Sequence, residues 1–164
     1  MIRYGPAKPM GWKGWIAGAP GMAKVIVEVE VRPTEDREKV LRAVLNIIDP
    51  DEVRTERIGQ GEILILEAGS LASLTKLYHL LRQERILDAA RGAMKKGVQG
   101  GRLVFYLHKQ ALTRGKLSFV SGDHESPMGA VRVTIEHRDP RAVIDWLAPP
   151  TVRGHPVFQK PMPE

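Results

Sequence analysis

The chain has 164 residues, of which 25 are lysine or arginine and 19 are aspartate or glutamate, so its formal net charge is +6 at pH 7. This length suits a single domain with one ordinary hydrophobic core, and the 43% hydrophobic content excludes wholesale disorder. The absence of cysteine excludes disulfides, thiol catalysis and thiolate metal sites, and it fits a reducing compartment. No apolar run approaches the roughly 18 residues of a membrane-spanning helix, and we expect a cytoplasmic protein.

The first 21 residues differ in composition from the rest of the chain. They contain five glycines and three prolines, which interrupt any apolar segment and exclude a signal peptide. We predict that residues 1–21 are an N-terminal extension or precede a true start at Met22. We further predict a single α+β domain at residues 22–148 and an irregular C-terminal tail at residues 149–164.

Hydrophobic patterns predict the elements of the first half. Valines alternate with polar residues over 23–32, which predicts a half-buried strand. A helix follows, with Thr34 as its N-cap and with Asp49-Pro50 as its end. Residues 53–58 and 62–67 are predicted strands joined by a glycine-containing turn.

Two helices and three strands are predicted next. Leucines at helical spacing begin after the candidate cap Ser70, and their phase changes near Gln83–Arg85, where we predict a bend. Gly97 is the predicted left-handed C-cap of the second helix. The remaining predicted elements are strands at 102–109, 116–120 and 130–137, and a short helix from Asp139 to Ala148.

The order β-α-β-β-α-α-β-β-β-α predicts an α+β fold. The late run of three strands favours a mixed, largely antiparallel sheet with helices packed on one face.

Positive charge is concentrated in one part of the chain. Residues 82–116 contain nine cations and two acids, so this stretch has a net charge of +7 (nine minus two), and the rest of the chain nets −1. Because the stretch is predicted to be helix, turn and strand, we expect its charge to lie on an ordered surface that contacts a polyanion. A solvated basic face without a ligand is the alternative. The nine candidate nucleic-acid-binding residues are Arg82, Arg85, Arg91, Lys95, Lys96, Arg102, Lys109, Arg114 and Lys116.

Few aromatic residues accompany these cations. Phe105, Tyr106 and Phe119 are the aromatic residues of the region. We therefore expect contacts to the phosphate backbone of structured RNA rather than stacking on single strands.

Motifs that indicate catalysis are missing from the sequence. It contains no Walker loop, no G-x-S-x-G and no dinucleotide-binding fingerprint. Glu28 and Glu30 share the polar face of one strand, which is typical of a solvated strand. His124 stands between two acids, and a solvated loop is the favoured interpretation over a metal site. We expect no enzyme activity, no metal and no cofactor.

Four segments resemble an uncharacterised archaeal family described as RNA-binding. They are VEVEVRPTED (Val27–Asp36), LRQERILDAAR (Leu81–Arg91), FYLHKQALTRGKLSF (Phe105–Phe119) and ESPMGAVRVTI (Glu125–Ile135). The fold of that family is similar to that of the large-subunit ribosomal protein that contacts 5S rRNA. The resemblance covers roughly residues 22–148. It implies RNA binding and a homodimer, and it assigns no catalytic residues.

These features predict a non-catalytic protein that contacts the phosphate backbone of structured RNA through a basic helix–strand face. Ribosomal RNA is among the candidate ligands, and we expect no membrane partner. The alternative is a homodimeric adaptor that binds an acidic protein partner and has no nucleic-acid role. A third hypothesis is an enzyme that acts on a nucleotide through Glu28, Glu30 or His108.

Overall fold

A computed structural model describes residues 23–122 and 129–163. The predicted extension at residues 1–21 and the loop that contains His124 lie outside the described residues. Within the described part there are five α-helices: α1 (Arg37–Val44), α2 (Thr75–Gln83), α3 (Leu87–Lys96), α4 (Lys109–Thr113) and α5 (Pro140–Leu147). A 3₁₀ helix (Leu71–Leu74) precedes α2. The strands are β1 (Ala23–Val31), β2 (Glu52–Ile58), β3 (Gly61–Ala68), β4 (Val98–Gln99), β5 (Arg102–His108), β6 (Phe119–Val120), β7 (Ala130–His137), β8 (Thr151–Val152) and β9 (His155–Pro156).

The first seven strands form one antiparallel sheet. Its order is β2-β3-β1-β7-β5-β4, and β6 pairs with β5 beside β4. Every pairing between these strands is antiparallel. The predicted α+β class with a mainly antiparallel sheet is therefore confirmed.

The alternation in β1 explains how the sheet carries the core. Val25, Val27 and Val29 are at most 2% exposed, and they pack in the same core as the inward residues of the helices. Glu28 and Glu30 lie on the opposite face of the strand because successive side chains alternate between the two faces. The described helices thus cover the valine face of the sheet.

Capping side chains set where two elements begin. The N-cap of α1 is Asp36, whose carboxylate accepts a hydrogen bond from the Glu38 N–H at 2.9 Å, so the predicted cap at Thr34 was wrong. The His108 Nδ1 accepts a hydrogen bond from the Ala111 N–H at 3.1 Å. His108 therefore caps α4, and Lys109 begins a helix where a strand residue was predicted.

The C-terminal part contains two further differences from the predicted elements. The predicted strand at 116–120 is shorter in the structure, where β6 consists of Phe119–Val120 and pairs with β5. Residues 151–156 form a two-stranded hairpin, where we predicted an irregular tail. The hairpin turn is Arg153-Gly154, in which both residues have positive φ.

The predicted bend between the two central helices is confirmed. It lies between α2 and α3, where Arg85 has a φ of 56°. Gly97 follows α3, but its φ is −97°, so the predicted left-handed cap was wrong. Position 97 requires glycine for another reason, because its backbone lies very close to the backbone of Val104. The Val104 N–H donates to the Gly97 carbonyl at 3.0 Å, and a Cβ on Gly97 would lie 1.7 Å from the Val104 carbonyl oxygen.

No helix within residues 23–122 and 129–163 combines the length and apolar character that crossing a membrane would need.

We predict that Gly97→Ala destabilises the protein by about 1–3 kcal/mol, because the new methyl group would push α3 away from β5. Gly92→Ala is the matched control, since a Cβ on Gly92 has nothing within 4 Å and alanine favours a helix by about 1 kcal/mol. Urea unfolding monitored by circular dichroism measures the stability of both variants. Equal stability of the two variants would contradict the close approach of α3 and β5.

Candidate nucleic-acid interface

Three of the nine predicted cations are engaged inside the fold. Lys109 is 1% exposed, and its Nζ donates to the Glu30 carbonyl at 2.8 Å and to Glu35 Oε1 at 2.9 Å. Glu35 Oε1 also accepts a hydrogen bond from the Arg32 N–H at 2.8 Å. The ammonium group of Lys109 therefore holds the end of β1 and the turn before α1 against α4, and the expectation that it contacts a ligand is corrected.

Two arginines hold the C-terminus of α5. Arg82 Nη1 donates to the Leu147 carbonyl at 3.0 Å, and its Nη2 donates to the Trp146 carbonyl at 3.2 Å. Arg91 Nη1 donates to the Ala148 carbonyl at 3.0 Å and lies 3.0 Å from Asp145 Oδ1. Cations at this position satisfy the last carbonyls and complement the negative end of the helix dipole. Both arginines thus have a structural role.

An aromatic stack reinforces the contact made by Arg82. Its guanidinium carbon lies 3.6 Å from the centroid of the Tyr78 ring, and the Tyr78 ring stacks on Trp146 with centroids 5.5 Å apart. Desolvation by burial lowers the pKa of Arg82 from its ordinary value, and the neighbouring Tyr78 acts in the opposite direction.

The other six cations are exposed, and they lie near the two ends of α3. Lys95, Lys96 and Arg102 are at its C-terminal end, on α3 and at the start of β5. Arg85 lies in the bend at its N-terminal end. Glu84 Oε1 accepts a hydrogen bond from the Leu117 N–H at 3.0 Å, which brings the segment carrying the remaining two cations to this bend. Those two residues are Arg114 and Lys116.

A groove of about 750 Å³ runs between α3 and the edge of the sheet formed by β5 and β6. Its charged lining residues are Lys96, Arg102, Arg132 and Asp88. We call this feature the basic groove. It contains three cations and one acid, so its wall carries a net positive charge.

The walls of the basic groove differ in shape. On α3, the lining residues Ala89, Gly92 and Ala93 have small side chains. On the sheet side the groove is lined by half-buried Tyr106 and Phe119. The groove thus has small side chains on one wall and aromatic rings on the other.

The acid in the basic groove is already hydrogen-bonded. Asp88 Oδ1 and Oδ2 lie 2.8 and 2.9 Å from Thr151 Oγ1, which donates to the carboxylate. Among the cations, Arg132 Nη1 lies 3.9 Å from Glu28 Oε1, and the Arg132 side chain remains 41% exposed. The described ion pairs do not include Lys96 or Arg102, so these two cations face solvent and are free to bind an anion.

Sequence reasoning missed Arg132 and Arg141. Arg132 lies directly opposite Tyr106 in the pairing of β5 with β7, which puts it on the groove side of the sheet. Arg141 on α5 lines a smaller depression of about 190 Å³ together with Arg91 and Lys95. The alternation in VRVTI could have indicated that Arg132 lies on the polar face of a strand. Only the order of the strands in the sheet shows that Arg132 is the neighbour of Tyr106.

The three residues weighed for catalysis, Glu28, Glu30 and His108, each contact a neighbouring residue. His108 caps α4, and the Glu30 side chain is 50% exposed and lies 3.8 Å from Arg32 Nε. Within residues 23–122 and 129–163, no three His, Asp or Glu side chains lie close enough together to hold a metal ion.

We predict that Lys109→Met lowers the free energy of unfolding by about 3–5 kcal/mol, because the Glu35 carboxylate, whose side chain is 10% exposed, would lose the positive charge that balances it. Lys116→Met is the control, since Lys116 is exposed, and it should change stability by less than about 0.5 kcal/mol. Thermal unfolding and urea unfolding measure both variants. A Lys109→Met protein as stable as the control would show that the buried ion pair contributes nothing.

The chain is similar to a family model and to several known proteins. Residues 24–137 match a protein-family model described as RNA binding. A UPF0201 protein of Aeropyrum pernix is 65% identical over 148 residues, which are 90% of this chain and 99% of that protein. A UPF0201 protein of Sulfolobus acidocaldarius is 48% identical over 142 residues, which are 87% of this chain and 98% of that protein.

The fold is also found in a solved structure. The crystal structure of a UPF0201 protein from Methanococcus jannaschii has a TM-score of 0.70 and 31% identity, and it covers 82% of this chain and 99% of that one. The chain therefore belongs to the archaeal UPF0201 family, and it matches the family model that is described as RNA binding.

Proposed function

We propose that this protein is a non-catalytic RNA-binding protein that contacts the phosphate backbone of structured RNA through the basic groove. The observation that carries the proposal is the groove itself, in which three cations face one acid that is already hydrogen-bonded to Thr151. The family match over residues 24–137 supports RNA as the polyanion. The proposed ligands include ribosomal RNA.

The proposed contact residues differ from the nine predicted cations. Arg82, Arg91 and Lys109 are left out because they hold the fold together. The proposed contacts are the six exposed cations and Arg132, namely Arg85, Lys95, Lys96, Arg102, Arg114, Lys116 and Arg132. Lys96, Arg102 and Arg132 form the centre of this surface because they line one groove.

Phosphate contacts explain why ordered cations would be used. A protein that neutralises phosphates releases the counterions condensed on the nucleic acid, so its affinity falls steeply with salt. Lys96 is on a helix and Arg102 on a strand, and the contact of Gly97 with Val104 fixes these elements against each other. The two charges are therefore held at a set separation, which favours a folded RNA with a defined spacing of phosphates.

The proposal includes a homodimer and a fold similar to that of the ribosomal protein that contacts 5S rRNA, both of which the sequence resemblance implies. Two copies of the protein would present two basic grooves to one RNA. Simultaneous engagement would raise the overall affinity without any new contact, provided that the spacing of the grooves matches the RNA.

We predict that Lys96→Glu combined with Arg102→Glu weakens RNA binding by at least about 30-fold at low salt, because two attractive contacts become repulsive. The slope of log affinity against log salt concentration should become shallower by about 2, one unit for each lost phosphate contact. Fluorescence anisotropy with a labelled, folded RNA over a salt series measures both quantities.

A matched control is Lys39→Glu combined with Arg57→Glu. It changes the net charge by the same amount, but Lys39 is on α1 and Arg57 is on β2, which is separated from β5 by three strands of the sheet. This control should retain most of the affinity. Equal weakening by the two double variants would show that only total charge matters, and no RNA binding by the unchanged protein would refute the proposal.

A further inference from the structure

A second cavity lies at the other end of α3, between the α2–α3 bend and the C-terminal hairpin. Its volume is about 270 Å³. The charged and polar side chains that line it are those of Arg82, Arg85, Asp88, Thr151, Arg153 and His155. We call it the hairpin pocket. The basic groove and the hairpin pocket share Asp88, so the two cavities lie on adjacent parts of one surface.

The hairpin pocket has an excess of positive charge. Three arginines line it, and its one acid is Asp88, whose two oxygens accept from Thr151 Oγ1. Within residues 23–122 and 129–163, the guanidinium groups of Arg85 and Arg153 form no hydrogen bond or ion pair. Two arginine side chains are therefore available beside one small cavity.

The backbone at both of these arginines is unusual. Arg85 has a φ of 56°, and Arg153 has a φ of 54°. Arg85 follows α2 at the place where a helix commonly ends in glycine, since the Ile86 N–H donates to the Leu81 carbonyl at 3.2 Å in a Schellman arrangement. Arg153 occupies the first central position of a hairpin turn with two positive φ values, where asparagine or glycine is favoured. Left-handed backbone is strained for arginine.

The two strained positions thus carry long cationic side chains where glycine or asparagine would serve the backbone better. Such strain persists where the side chain has another use, and it is concentrated at binding sites. Arg82 lines the same pocket and adds a third positive charge to its wall, while its Nη1 and Nη2 donate to the Leu147 and Trp146 carbonyls. Charge, volume and available donors all suit a small, highly charged anion.

We propose that the hairpin pocket binds a phosphate monoester, namely the terminal phosphate of an RNA chain. A monoester carries more negative charge than a backbone phosphodiester, and arginine forks bind phosphate oxygens in pairs. The pocket volume of about 270 Å³ suits one phosphate with part of its ribose and excludes a helical RNA. This inference depends on the proposed function, because RNA carries the phosphate to the pocket beside the basic groove.

The test uses one folded hairpin RNA with short unpaired ends in three forms, with a 5′-phosphate, with a 3′-phosphate, or with hydroxyl groups at both ends. The full-length protein should bind one of the phosphorylated forms about tenfold more tightly than the hydroxyl form, as measured by fluorescence anisotropy. The phosphorylated form that is preferred identifies the end that enters the pocket. Equal affinity for all three RNAs would overturn the inference, whereas binding of none of them would also remove the proposed function.

Substitutions that relieve the backbone strain make the test specific. Arg85→Gly combined with Arg153→Asn removes both free guanidinium groups and puts residues suited to positive φ at both positions. This variant should lose the preference for the phosphorylated RNA, while its melting temperature stays the same or rises. Retention of the preference would contradict the assigned pocket.

The control for this variant is Lys39→Asn combined with Arg57→Asn, which removes two exposed cations from other parts of the surface. It should keep the tenfold preference although its affinity for every RNA falls slightly. If the control and the pocket variant lose the preference equally, general charge accounts for the preference and the pocket does not. The Lys96→Glu and Arg102→Glu variant should weaken binding of all three RNAs and leave their ratio unchanged.

Discussion

The close approach of α3 to β5 is the constraint on which the candidate binding surface depends. The Gly97 carbonyl accepts a hydrogen bond from the Val104 N–H, and the absence of a side chain at Gly97 lets the Val104 carbonyl pass. This contact fixes the end of α3 against the edge of the sheet. Lys96 directly precedes Gly97, and Arg102 lies two residues before Val104, so both are thereby held on the same groove.

Basic residues serve two distinct purposes in this protein. Arg82 and Arg91 satisfy the carbonyl groups at the end of α5, and Lys109 joins three segments through a buried ion pair. Within residues 23–122 and 129–163, the side chains of the six exposed cations around α3 form no hydrogen bond or ion pair. Arg82, Arg91 and Lys109 therefore hold the helices around α3 in place. The exposed cations lie on the surface that these contacts order.

Prediction from the sequence succeeded where a local pattern determines the structure. The alternation in β1, the bend after Gln83 and the short helix that begins at Asp139-Pro140 depend on residues near in sequence, and all three are present. Prediction failed at Lys109 and Gly97, because a side-chain cap from His108 ends β5 early and because the contact that requires glycine comes from another element. The positions of the lysines and arginines in the sequence do not indicate which of them are buried and which are exposed.

The sequence by itself determined the α+β class, the concentration of positive charge between residues 82 and 116, and the family. Tertiary structure alone decided which cations face solvent, since burial depends on partners such as Glu35 and Ala148 that are distant in the chain. It also brought Arg132 and Arg153 to α3 from outside the basic stretch. The physical reason is that strand register and helix packing, which set these neighbours, arise from contacts across the whole fold.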